Sequence, residues 1–132
     1  MAWDWLDSVT KSWLHGEVSV KVEGFRRPKI AIIDTGFDSG ARFLNPKLKQ
    51  RLYMHSGTET KKYNWKDFWQ YEAVPNDSHG HGTAMLSIVL RIAPFADICV
   101  ARIAGTDEDL KRDPEKTSKN LAKVLQQRMV VM

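Results

Sequence analysis

An α/β fold built on a parallel strand–helix–strand unit is the class this sequence predicts, and three stretches carry the prediction. Lys29-Ile30-Ala31-Ile32-Ile33 is an apolar run between Pro28 and Asp34-Thr35-Gly36, the pattern of a central strand covered on both faces. After Thr83 only Ser87 and Arg91 interrupt the apolar residues up to Ala93. Being four apart, they share one narrow face, so the helix should be buried around most of its circumference until Pro94 ends it. Ala96 to Ala104 is a second strand pattern. Strand, helix and strand in that order build a right-handed parallel unit.

The other elements follow in chain order. Trp3, Leu6, Val9 or Thr10, Trp13 and Leu14 recur at helical spacing with Gly16 as a stop, which predicts a short amphipathic helix. Val18-Ser19-Val20-Lys21-Val22 alternates as a half-exposed strand does, or as an extended linker. Asp38 to Gln50 predicts a loop and a helical turn, with Phe43 and Leu44 as its apolar contacts. Arg51 to His55 is a candidate second strand, and Ser56 to Lys62 a polar turn. Trp65, Phe68, Trp69 and Tyr71 anchor a segment expected to lie over the body. Gly105 to Thr117 is charged and predicted to be an exposed loop; Ser118 then caps a last helix with Leu121, Val124, Leu125 and Met129 as its apolar stripe.

Composition narrows the classes of function. A chain of 132 residues, 42% hydrophobic, is one domain by length and long enough to bury a core. Twenty basic against 16 acidic residues leave a net charge of +4, spread along the chain in the manner of a solvated surface. Much of the excess lies between Arg42 and Lys66, yet no nucleic-acid motif accompanies it, and no nucleic-acid partner is expected. The one cysteine, Cys99, excludes an intrachain disulfide and fits a small buried hydrophobe. The first residues carry acids and no continuous apolar core, so no signal peptide is visible and a cytoplasmic location is favoured. The apolar helix, about ten residues, is too short for a bilayer, and no membrane partner is expected.

Candidate chemistry gathers at two places. His81 stands between Gly80 and Gly82 at the head of the apolar helix, where small flanks leave the imidazole open to close approach. A first-turn histidine faces the positive end of the helix dipole, which favours the neutral ring that a general base needs. A capping or core histidine is the bland alternative. Asp34 closes the first strand beside a glycine turn, and in open parallel sheets working residues collect at strand carboxyl ends. A carboxylate there needs a donor, and an imidazole N–H is the natural one.

Ile32-Ile33-Asp34-Thr35-Gly36 and Gly80-His81-Gly82-Thr83, followed by Ile92-Ala93-Pro94 and a strand ending in Ala101-Arg102-Ile103, resemble the aspartate and histidine signatures of subtilisin-like serine endopeptidases. The likeness runs from about Lys29 to Ile103, more weakly through the final helix, and the charged loop is similar to that of fungal relatives. It implies a three-layer, doubly wound, mostly parallel α/β sheet, here incomplete. Residues 1–27 form a helix and linker in this division, and 28–132 the N-terminal portion of a peptidase domain. It further implies that Asp34 orients His81, that His81 takes the proton of a serine attacking a peptide carbonyl, and that no cofactor takes part. The substrate of such a protein, completed to full length, is a polypeptide. Thr35 and Thr83 hold backbone geometry in this picture.

The departures are as informative. Ala84 stands where many relatives have a second histidine, and none of the eight serines lies in a Gly-Thr-Ser-Met-Ala-like stretch. No asparagine occupies a recognisable oxyanion-hole context. Ser56, ahead of Gly57-Thr58, lacks the strand-to-helix setting. A chain truncated before the nucleophile and inactive alone is therefore expected, with a sheet edge left open. A pseudoprotease that engages other proteins is the alternative. Two further readings compete: a zinc hydrolase on His79 and His81 with Asp34 or His55, and, more weakly, a phosphotransferase on Asp34 and Asp38.

Overall fold

The computed structural model describes residues 27–54 and 62–126. The expected helix over Trp3–Leu14 and strand over Val18–Val22, together with His55, Ser56 and Met129, lie outside the described residues. The described residues form three strands, β1 (Lys29–Asp34), β2 (Trp65–Asp67) and β3 (Asp97–Arg102). They form one all-parallel sheet in the order β1-β3-β2. Asp34 stands opposite Arg102, and Arg102 opposite Asp67, so three neighbouring strands end in one row at the carboxyl edge.

Burial corrects the expected centre of the sheet. From Ile98 onward every residue of β3 is buried. Among the described strands β1 is an edge, with Lys29 and Ala31 exposed. Both runs are equally apolar in sequence. Which one lies between two neighbours is a matter of topology, which hydrophobicity does not encode.

Asn45 starts a short helix, α1 (Pro46–Lys49), by accepting from the Leu48 amide at 2.9 Å, with Pro46 placed where a missing N–H costs nothing. The predicted strand at Arg51–His55 is not formed. Gln50–Leu52 is a 3-10 turn, and only Tyr53 makes an isolated antiparallel bridge, to Tyr63. Arg51 and Leu52 are adjacent and both buried, which a tight turn permits and a half-exposed strand does not. The third strand comes instead from the aromatic segment: β2 is three residues long, below the length at which alternation is readable.

The helix α2 (His81–Ile92) buries Gly82, Leu86 and Leu90, one narrow stripe, while Ala84 and Ile92 are exposed. The burial around most of its circumference that its sequence predicts is therefore not observed. Leu86 and Leu90 meet Ile32, Ile98 and Val100 of the sheet, with Phe37, Leu44, Leu52 and Ala96 completing the main core. Alternate positions feed a second cluster, in which Ala101, Ile103, Phe68 and Val124 are packed by Ile33 and Leu110. Since neighbouring strand residues point to opposite faces, apolar packing lies on both sides of the sheet.

The expected charged loop contains the helix α3 (Asp107–Arg112) and the first turn of the last helix, α4 (Pro114–Gln126). Thr106 caps α3 by accepting from the Asp109 amide, and acids fill its first turn while Lys111 and Arg112 close the last, the order that complements the helix dipole. Asp113 accepts from the Lys116 amide at 3.0 Å ahead of Pro114, so α4 begins before Ser118. Of the described residues of its predicted stripe only Val124 is buried; Leu121 and Leu125 are exposed. Asn120 is buried in their stead, donating to the Ile103 carbonyl at 3.2 Å.

Candidate active site

The last residue of β1 and the first of α2 are 47 positions apart in sequence and in direct contact. His81 Nδ1 lies 2.8 Å from Asp34 Oδ1 and 2.9 Å from Oδ2. A carboxylate only accepts, so Nδ1 carries the proton and Nε2 is left with the lone pair. The Thr35 amide donates to Asp34 Oδ1 at 2.7 Å, fixing the carboxylate from its own turn. Asp34 is 15% exposed and His81 46%: an inward carboxylate orients an outward ring.

The ring's affinity for protons departs from the dipole-based expectation. The hydrogen bond to Asp34, then the Asp34 charge, raise the His81 pKa above the ordinary histidine value; burial opposes the rise, and the Asp107 and Asp77 charges add smaller contributions to it. Partial charge at a helix end is outweighed by a full carboxylate at hydrogen-bond distance. His81 is thus a stronger base than a helix N-terminus alone would leave it.

Sequence analysis missed Asp77, around which the site is built. Its Oδ1 accepts from the Thr35 hydroxyl at 2.9 Å and the Gly80 amide at 2.8 Å. Its Oδ2 accepts from the Thr83 amide at 2.8 Å and the Thr83 hydroxyl at 2.6 Å. Burial pushes this carboxyl's pKa up, but these donors together overcome it and hold the value below the usual range. The Thr35 hydroxyl in turn accepts from the Gly82 amide at 2.9 Å, and the Thr83 hydroxyl from the Asp38 amide at 3.0 Å. Both threonines hold backbone, as the resemblance implies. The readable signal for Asp77 was its place three residues before Gly80, the spacing of a side chain that accepts from a turn amide.

The two glycines beside His81 do different work. Gly80 adopts φ +95°, and nothing lies within 4 Å of where a Cβ would stand, so this flank of the ring is open. At Gly82 a Cβ would meet the Gly36 carbonyl oxygen at 2.0 Å. Its missing side chain serves close packing of two turns, and the open approach expected on both flanks exists only at Gly80.

Among the described residues, which do not include His55, the competing constellations do not assemble. The His79 and His81 ring centroids are 6.3 Å apart and tilted, and His79 Nε2 faces Asp107 Oδ2 at 3.9 Å. Among the described residues no group of three His, Cys, Asp or Glu side chains is placed to hold a metal ion. The Asp38 carboxylate accepts from the Gly40 amide at 2.8 Å, which closes its own turn. Among the described residues no helix is long and apolar enough to cross a membrane.

Comparison with known proteins gives one match. The model of the subtilase family, peptidase S8, matches residues 26–132, and so runs through α3 and α4. No curated protein and no solved structure matches the chain.

Proposed function

We propose, because this chain belongs to the subtilase family of serine-type peptidases, that Asp34 and His81 are the orienting carboxylate and the general base of an endopeptidase site. The observation that carries this is the contact of His81 Nδ1 with both Asp34 oxygens, which leaves Nε2 as the proton acceptor. A serine hydroxyl attacking a peptide carbonyl gives its proton to Nε2; the carboxylate stabilises the imidazolium, which then protonates the leaving amine. In this reading residues 28–132 are the N-terminal portion of a three-layer, doubly wound subtilisin-like domain. The packing of apolar clusters on both faces of the parallel sheet supports it.

No serine of the 132 residues stands in a nucleophile setting, so the chain by itself is expected not to hydrolyse peptide bonds. That same observation favours a second reading, a pseudoprotease whose role is binding. A fluorophosphonate probe, which labels only an activated serine, separates them when applied to this chain and to the longest product of its transcript. Labelling of the longer product alone, with cleavage of unfolded casein, is the expected result. Labelling of neither turns the assignment to the pseudoprotease. Labelling of the 132-residue chain overturns the view that it holds only half of the site.

A further inference from the structure

We propose that Asp77 is a positioning residue of the site, a carboxylate that helps lock the loop bearing Asp34 to the loop bearing His81; this rests on the assignment of those two residues to catalysis. The N-cap position of helix α2 is held by Gly80, whose lack of a side chain leaves it unable to cap the helix. The first amides of a helix nevertheless need acceptors. They are supplied from outside: Gly82 N–H donates to Thr35 Oγ1, and Thr83 N–H to Asp77 Oδ2.

Every hydroxyl orientation in the network is thereby set. Thr35 is fully buried; its hydroxyl accepts from Gly82 and so must give its own proton to Asp77. The Thr83 hydroxyl accepts from the Asp38 amide and likewise gives its proton to Asp77. One carboxylate therefore receives two hydroxyls and two amides, drawn from Thr35 on one loop and from Gly80 and Thr83 on the other. Only an ionised carboxylate accepts at all four positions; an amide in its place turns one donor toward another.

His81 lies between Gly80 and Thr83, and Asp34 immediately precedes Thr35. The span of 2.8 to 2.9 Å from Nδ1 to the Asp34 oxygens is consequently set by contacts that Asp77 makes on both sides of it. Asp77 itself touches neither reacting group among its hydrogen bonds, and it works through the backbone on which they stand.

The test reads the resting 132-residue chain by NMR, following the His81 Nδ1 proton and the ring's tautomer. Asp77→Asn and Thr83→Val should each speed exchange of that proton about tenfold and loosen the single tautomer, while Thr83→Ser, which keeps the hydroxyl, should restore both. Thr83→Val alters no charge, so its effect reports geometry. A folded Thr83→Val protein with parent-like exchange and tautomer overturns the proposal. Collapse of the whole fold in Thr83→Val also overturns it, because the network then holds the chain and not the pair. Should Asp77→Asn fail to fold, the Thr83 pair decides alone. Failure of the peptidase reading appears separately, as absent fluorophosphonate labelling of the longest product of the transcript with the His81 signals of the 132-residue chain intact.

Discussion

Asp34 governs His81 through contact with both carboxylate oxygens, and the consequence is measurable in the resting state. Asp34→Asn keeps the shape and removes the charge, so the His81 pKa should fall toward the ordinary histidine value, read from the imidazole C2 proton during an NMR titration. A group whose folded pKa is raised binds its proton more tightly in the native state. The stability this pair contributes is then fully present below the unfolded value, about 6.5, and is lost as the pH rises through the raised folded value. Urea midpoints of parent and variant should therefore differ most on the acidic side of neutrality and converge in alkali. Equal titration curves for the two proteins would remove Asp34 as the source of the shift.

Among the elements, α2 is the one whose two ends decide the molecule, because its N-terminus bears His81 and its C-terminus is held by Arg51. The Arg51 guanidinium is buried, donating from Nε to the Ala96 carbonyl and from Nη1 to the Leu90 carbonyl, each at 2.9 Å, and from Nη2 to the Ala93 carbonyl. These are carbonyls at and just beyond the helix end, where intrahelical donors run out. Burial lowers the Arg51 pKa from its usual value, yet the group stays charged because all of its partners are acceptors. Arg51→Ala leaves those carbonyls without the cation and should cost about 3 kcal/mol in urea unfolding; Arg51→Lys, a point donor in place of a planar fork, should recover only part. An unchanged midpoint in Arg51→Ala would mean that water takes over the cap. The tight turn at Gln50–Leu52, in place of the predicted strand, is what aims this side chain inward.

At the scale of the whole molecule, β3 is the most buried of the described strands, and Cys99 reports on it. The thiol lies 3.6 Å from the Ile30 carbonyl, and burial pushes its pKa up to about 11. Only the thiolate attacks disulfide reagents, so the native chain should react with an aromatic disulfide about a hundredfold more slowly than the chain in urea. Fast labelling of the native protein would show that the three-stranded sheet opens readily. Asp67 and Arg102 illustrate another global effect: their ion pair at 3.3 Å is almost wholly buried at the carboxyl edge. Asp67 also accepts from the Trp69, Gln70 and Glu72 amides, which folds the aromatic segment back onto the strand ends.

Sequence alone determined what is local or periodic. The strands at Lys29 and Asp97, the helix after Gly80, the burial of Cys99 and the candidacy of Asp34 and His81 were legible because each depends on the residues beside it in the chain or on a short motif. Tertiary structure decided whatever depends on distant partners. Among the described strands it placed β3, and not β1, at the centre, because strand order is set by pairing over long separations. It turned Arg51 inward because the helix end it caps lies some 40 residues away in sequence, with the Leu90 carbonyl 39 positions on. It gathered Thr35, Asp77, Gly80, Gly82 and Thr83 into one network, because hydrogen bonds between two loops form only once the sheet and helix have brought the loops together.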